Sequence, residues 1–212
     1  MRVKCKNNKN KEQRLTLNKN YSVYEAEYLI KDGIKEYITF KIEDDYGSVI
    51  PYEANNFEII SDLNNNYTKE VIGDNEVALT HSFISTKYFW AKLYDDDHEM
   101  IRLFIKAKKD IYSSEMKNDE ILEIINGNNF DERDFVIDML IDQRNDYFIE
   151  NIIRICKIQL EKWIDNSNLE TLFKYLSTFE NDKVNEFFID YLSENEKGNE
   201  ILDNIVYDYF NN

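Results

Sequence analysis

The chain has 212 residues, of which 42% are hydrophobic and 14% aromatic, and its formal net charge is −16. A chain of this length forms one large or two small domains, and its hydrophobic content is high enough for a folded core, so the acidity alone does not indicate disorder. No apolar run approaches the roughly 20 residues that cross a bilayer, so we expect a soluble protein without a membrane partner.

The negative charge is concentrated in the later part of the chain. Residues 1–62 contain ten Lys/Arg and eleven Asp/Glu, whereas residues 63–212 contain 16 Lys/Arg and 31 Asp/Glu. Nucleic-acid binding needs clustered Lys and Arg that neutralise phosphates, so we expect the later part not to bind nucleic acid. The same charge would attract a basic protein and speed its encounter with this chain.

The two cysteines, Cys5 and Cys156, lie far apart in the sequence and show no paired spacing. This usage is typical of reduced thiols in a cytosolic protein. Polar residues follow Met1–Lys4 in place of an apolar segment, so we expect no signal peptide and a cytoplasmic location.

Short strands separated by turn residues dominate residues 1–62. Asp32-Gly33 tolerates the positive φ of a two-residue turn, which predicts a hairpin, and Asp44–Gly47 predicts a second turn. The predicted strands are Arg2–Cys5, the stretch from Tyr21 to Ile30, Ile34–Ile42, Ser48–Tyr52 and Phe57–Ile59. Five strands in about sixty residues, with a polar loop from Lys6 to Gln13 after the first, favour a small and strongly bent barrel.

Several segments carry a resemblance to a known family: Val3–Cys5, Leu15–Leu17 with Tyr21–Val23, Ile42–Gly47 and Tyr52–Phe57. They resemble the SH3-like barrel found at the N-terminus of many uncharacterised bacterial and phage proteins. The chain has Asn18 where such barrels often have glycine. The resemblance implies an SH3-like fold with a binding surface over residues 1–62, and it implies no activity.

Tyr37, Tyr46 and Tyr52 are the candidates to line a groove for an extended peptide on such a barrel. The alternative is that these tyrosines cover the core of the barrel and keep their hydroxyl groups in water. We give this site as the single candidate for peptide binding in residues 1–62.

Residues 63–84 are predicted to connect the barrel to the helices. Gly73-Asp74-Asn75 is good turn chemistry between Tyr67–Ile72 and Glu76–Thr80, which predicts a further β-hairpin. A helical turn near Thr68 fits the same residues and stays open as the alternative.

From Ser85 the apolar residues recur at helical spacing, which predicts an acidic helical domain over residues 85–212. The predicted helices are Ser85–Leu93, Asp96–Ser114, Asp119–Gly127, one capped by Asp131, Phe148–Trp163, Leu169–Phe179, Val184–Leu192 and Glu200–Phe210. The apolar stripe from Phe148 to Trp163 is the longest, so we expect this helix at the centre. Short connections favour a helical bundle or a stack of helical hairpins.

The cluster Asp95–Glu99 contains ligand types for a cation, but consecutive residues at a helix start diverge around the axis. Helix capping explains these acids without an ion, so we predict no metal and no cofactor. His81 and His98 lack a positioned partner in the sequence. Cys156 lies within an apolar stripe, which predicts a buried and inert thiol.

The sequence therefore predicts an α+β protein with an SH3-like barrel, an added hairpin and an acidic helical domain. We expect a non-enzymatic protein-binding role in which the helical surface recognises a basic partner, and an immunity-like or inhibitor role is one concrete version. One alternative is nucleic-acid association through the barrel and its basic loop. The other is an enzyme with unrecognised carboxylate chemistry.

Overall fold

The structure is a computed structural model, and it describes residues 1–8, 14–62, 66–161, 166–194 and 199–211. The chain divides into two compact units, Met1–Met116 and Lys117–Asn212. The α+β class is confirmed, because an antiparallel sheet of seven strands in the first unit is followed by helices. None of the helices in the described ranges combines the length and the apolar character needed to cross a membrane.

The strands of the sheet are β1 (Arg2–Cys5), β2 (Asn20–Lys31), β3 (Ile34–Glu43), β4 (Val49–Glu53), β5 (Phe57–Ser61), β6 (Tyr67–Gly73) and β7 (Glu76–His81). Strand β2 is at the centre. It pairs with β3 along one edge, and with β1 and then β7 along the other edge. Further out, β4 pairs with β3, β5 with β1 and β6 with β7, all antiparallel.

The turns predicted from Asp32-Gly33 and from Gly73-Asp74-Asn75 are both confirmed. Asp32 and Gly33 join β2 to β3 with φ angles of 51° and 80°. The added hairpin also forms, since β6 pairs with β7 around a turn in which Asn75 has a φ of 62°. Asn18 has a φ of 66°, so asparagine supplies there the left-handed conformation that glycine adopts most readily.

The SH3-like barrel is not confirmed, because the sheet is not closed. The main strand order is β4-β3-β2-β1-β5, with β4 and β5 at its ends. β2 also carries the β6–β7 hairpin on the edge it shares with β1. The register of β2 against β3 shifts between Val23 and Glu25, and because of this bulge Ala26 lies on the same face as Val23, while Tyr24 lies on the opposite face. The sheet therefore has a core on each side.

Two helices complete the first unit, α1 (Phe89–Tyr94) and α2 (His98–Glu115). They pack with Tyr24 and Ile84 into the second of these cores. The helix expected from Ser85 begins later, because residues 82–84 form a 3₁₀ turn and Tyr88 adopts a φ of 61°. The helical domain was expected to begin at residue 85, whereas both helices lie before Met116 and belong to the same unit as the sheet.

The regular elements in the described part of the second unit are all helices. Its helices are α3 (Asn118–Asn126), α4 (Phe130–Asp142), α5 (Ile149–Glu161), α6 (Glu170–Ser177), α7 (Asp182–Glu194) and α8 (Glu200–Asn211). The central helix is α6 rather than the expected α5, since Leu172, Phe173, Tyr175 and Leu176 are all 0% exposed. The expected end of α5 at Trp163 lies outside the described residues.

Side-chain contacts set the directions of neighbouring helices. Glu150 and Lys157 of α5 form ion pairs with Lys183 and Asp190 of α7, each partner lying 33 positions further along, so α5 and α7 run parallel. α6 packs between α4 and α8. α7 and α8 run antiparallel, because the Tyr191 hydroxyl donates to Asp203 and the Tyr209 hydroxyl donates to Asn185. This order of contacts is that of helical hairpins stacked side by side.

Candidate interaction surface

The second unit has a large excess of carboxylates on its surface. Residues 117–212 contain 22 Asp/Glu and nine Lys/Arg. In the described part of this unit, all 20 Asp/Glu are at least partly exposed, whereas one of the seven Lys/Arg, Arg133, is buried. Solvent therefore meets a surface that is more negative than the composition alone implies.

Several of the exposed cations are already neutralised within the unit. Lys157 and Lys183 join α5 to α7 through Asp190 and Glu150. Lys174 pairs with Glu170 one turn earlier on α6, with 2.6 Å between Nζ and Oε1. Because these cations pair with acids of the same unit, they leave the remaining carboxylates to dominate the outward electrostatic field.

Helix α4 carries the most regular group of acids. Asp131, Asp134, Asp138 and Asp142 are spaced by three or four residues, so they share one side of the helix in a row about 16 Å long. We call this group the α4 aspartate row. Like charges at this spacing destabilise an isolated helix by about 0.2–0.5 kcal/mol per pair, and Asp is a poor helix former. Beyond the first turn this like-charge spacing works against the helix, although Asp134 lies beside the buried Arg133, with 3.5 Å between Oδ1 and Nε.

Sequence reasoning missed this row. Asp131 was interpreted as the cap of the helix, but the Asn129 side chain accepts the capping hydrogen bond from the Glu132 amide. The repeating spacing from Asp131 to Asp142 was visible in the sequence. The row was overlooked because Asp131, its first residue, was already explained as the helix cap.

The three predicted tyrosines occupy different environments. Tyr46 is 70% exposed, and the Arg14 guanidinium lies 5.5 Å from the centre of its ring. Tyr37 is half-buried against Tyr28 and donates a hydrogen bond to Asp62 at 3.3 Å. Tyr52 is buried, and its hydroxyl donates to Asp44 at 2.8 Å. Tyr37 and Tyr52 thus belong to the core side of the sheet, and peptide binding by the three together stays a prediction.

The basic loop before β2 is tied to the turn at Asp44–Gly47. The buried Asp44 carboxylate accepts hydrogen bonds from the amides of Tyr46 and Ser48 and faces Arg14 at 3.4 Å. Asp45 pairs with Lys19 at 2.7 Å. Burial alone would raise the pKa of Asp45, but hydrogen bonds from Lys19, Thr16 and Tyr21 outweigh it and lower the pKa. Arg14 and Lys19 therefore each face a carboxylate of the turn, whereas residues 9–13 of the predicted polar loop lie outside the described residues.

His81 is buried between the sheet and α2. Its Nε2 lies 3.0 Å from Asp110 Oδ2, and its Nδ1 accepts a hydrogen bond from the Phe83 amide at 3.4 Å. Burial lowers the pKa of His81 more than Asp110 raises it, so the neutral ring carries its proton on Nε2. Both ring nitrogens are engaged in holding the fold, and this geometry leaves neither as a general base.

The other residues considered for chemistry have structural contacts. Asp97, rather than Asp96, caps α2, and its carboxylate accepts from the amides of Glu99 and Met100. Burial raises the thiol pKa of both Cys5 and Cys156, as expected for inert cysteines. Within the described ranges, no three His, Cys, Asp or Glu side chains are grouped so as to hold a metal ion.

No protein-family model matches the chain, and neither a curated protein nor a solved structure matches it significantly.

Proposed function

We propose that the protein is a non-enzymatic binding protein whose acidic helical unit recognises a basic protein partner. The observation that carries the proposal is the exposed charge of residues 117–212. In the described part of this unit, 20 carboxylates and six cations are at least partly exposed. Charge of one sign on one unit speeds the encounter with a partner of opposite charge and selects against acidic partners.

Stability does not account for this charge. Net charge far from zero destabilises a compact unit through self-repulsion, and the α4 aspartate row adds like-charge pairs within one helix. An excess of one charge that opposes folding is best explained by an external contact. A row of carboxylates is complementary to the Lys/Arg clusters with which proteins bind phosphates, which supports an immunity-like or inhibitor role against a basic toxin or a nucleic-acid enzyme.

The alternatives have weaker support. Nucleic-acid association through the first unit would use the loop containing Arg14 and Lys19, and both face carboxylates of the adjacent turn. The SH3-like resemblance of residues 1–62 and the cytoplasmic location stay predictions. The buried cysteines, both free thiols, fit that location.

The test is a titration of the full chain with a fluorescein-labelled lysine/serine peptide, followed by anisotropy at about 50 and about 300 mM NaCl. We compare wild type with a variant in which the four residues of the α4 aspartate row are changed to Asn. The matched control makes the same change of charge in the first unit, at the exposed positions Glu53, Glu58, Glu70 and Asp74.

We expect binding that weakens steeply with salt, a loss of about tenfold or more in the α4 variant and a loss of about twofold or less in the control. Equal losses in the two variants would show a nonspecific effect of net charge. Binding that does not change with salt would contradict the proposal.

A further inference from the structure

Among the described residues of the second unit, four of the seven exposed large apolar side chains lie in its α7–α8 hairpin. Ile189, Ile201, Tyr207 and Phe210 are 57%, 53%, 54% and 46% exposed. Single exposed apolar residues are normal on a protein surface, but neighbouring ones mark an interaction site. The question is therefore which of these four side chains lie together.

Contacts between the two helices place three of them at one junction. The Tyr209 hydroxyl donates to the side chain of Asn185, which brings this part of α8 against α7. Ile189 lies one helical turn after Asn185, on the same side of α7. On α8, the ring of Phe210 contacts the ring of Tyr209, with 5.2 Å between centroids.

Tyr207 completes the group, because it precedes Phe210 by three positions and shares its side of α8. Ile189, Tyr207 and Phe210 therefore flank the outer side of the same helix junction. We call these three residues the α7–α8 face. Ile201 lies on the other flank of α8, across the solvent side that contains Asn204, and is not part of it.

Acidic residues border this face. Glu186 lies three positions before Ile189 on α7, and Asp203, whose carboxylate also accepts a hydrogen bond from Tyr191, lies one helical turn before Tyr207 on α8. In the described residues of the two helices, seven Asp/Glu accompany one lysine, Lys183. Lys183 is turned towards α5, where it pairs with Glu150. The border of the face is therefore negative.

We infer that the α7–α8 face docks an amphipathic, positively charged helix of a partner protein. The inference rests on the proposed function and names the part of the acidic unit that the partner contacts. An apolar stripe of the partner would cover Ile189, Tyr207 and Phe210, while its Lys and Arg side chains would reach the bordering carboxylates. A second copy of this chain is disfavoured as the occupant, because it would bring the same acids against one another.

The test uses two labelled synthetic peptides of about 14 residues with the same number of lysines. One has leucine at positions i, i+3, i+4 and i+7 among lysines, so that leucine forms one side of a helix, and the other has serine in place of leucine. The variant is Ile189→Ser with Tyr207→Ser in the full chain. The matched control is Ile158→Ser with Tyr147→Ser, which removes one exposed Ile and one exposed Tyr elsewhere in the same unit.

We expect wild type to bind the lysine/leucine peptide about tenfold or more tighter than the lysine/serine peptide. The variant should lose this difference while its affinity for the lysine/serine peptide is unchanged, and the control should behave as wild type. Circular dichroism checks that all variants are folded.

Other outcomes overturn the inference in distinguishable ways. If the variant keeps the preference for leucine, or if the control loses it equally, the α7–α8 face is not the docking site, and the proposed function still stands. If neither peptide binds in a salt-dependent way, the proposed function fails and the inference fails with it. If sedimentation shows a dimer that the variant disperses, the face belongs to a second copy.

Discussion

The substitution Asp138→Asn should stabilise the second unit while it weakens partner binding. Asp138 lies in the middle of the α4 aspartate row, four residues after Asp134 and four before Asp142. Its side chain is exposed, so the change removes charge without disturbing packing. Asn and Asp have similar helix propensities, so the backbone contributes little to the difference.

The magnitude follows from the two like-charge pairs that disappear. Each is worth about 0.2–0.5 kcal/mol, so the free energy of unfolding should rise by about 0.4–1 kcal/mol at low salt. The gain should shrink as salt screens the repulsion. Asp119→Asn is the matched control, because Asp119 lies in the first turn of α3, where a negative charge favours the helix. That variant should lose about 0.3–1 kcal/mol.

The assay is urea denaturation followed by helical circular dichroism at low and high salt, with the three proteins measured side by side. Opposite signs for Asp138→Asn and Asp119→Asn, both reduced at high salt, would support the electrostatic account of α4. A stability of Asp138→Asn equal to or below that of wild type at low salt would refute it, because repulsion between Asp138 and its neighbours in the row would then not oppose folding.

Three further predictions concern the cores and the buried histidine. An unfolded histidine titrates near pH 6.5, whereas burial lowers the pKa of folded His81, so the unfolded state takes up the proton first as pH decreases. The free energy of unfolding should therefore fall below about pH 6.5, and His81→Gln should flatten this part of its pH dependence. Trp90→Phe should cost the first unit about 1–2 kcal/mol in urea denaturation, because the indole Nε1 donates to Glu25 at 2.8 Å; an unchanged midpoint would contradict this contact. Phe173→Ala should lower the free energy of unfolding of the second unit by about 3–5 kcal/mol, because the Phe173 ring contacts three aromatic rings of α7. The rate of amide hydrogen exchange in α6 should rise sharply, and an unchanged rate would show that α6 is not central.

Local chemistry made part of the fold predictable. Asp32-Gly33 and the turn before Glu76 join residues that are adjacent in sequence, so turn propensity alone located both hairpins. The open sheet was not predictable in this way. It depends on the pairing of β2 with both β1 and β7 along one edge, and such non-local pairing leaves no short sequence signal.

The start of α2 and the choice of the central helix also depend on tertiary structure, which the local sequence does not specify. Asp96 and Asp97 are both capable caps, and only the backbone entering α2 decides in favour of Asp97. The longest apolar stripe predicted α5 as the central helix, although Ile158 on that helix is exposed. The shorter α6 is more deeply buried because α4, α5 and α8 all pack against it.

The negative charge of the candidate site was predictable from the sequence, but its position was not. Composition showed that the later residues are acidic, and the exposed carboxylates of residues 117–212 agree with that expectation. The α7–α8 face was hidden, because Tyr207 and Phe210 have the helical spacing that core residues also have. Only the packing of α8 against α6 and α7 shows which of its aromatic side chains stay in solvent.

The most direct test of the proposed function is to map where a basic ligand contacts the protein. We would record amide chemical shifts of the isotope-labelled full chain during titration with the lysine/leucine peptide. The account predicts shifts confined to residues 117–212, largest along α4 and in the α7–α8 hairpin. Shifts confined to residues 1–62, or spread evenly over acidic residues of the whole chain, would contradict it.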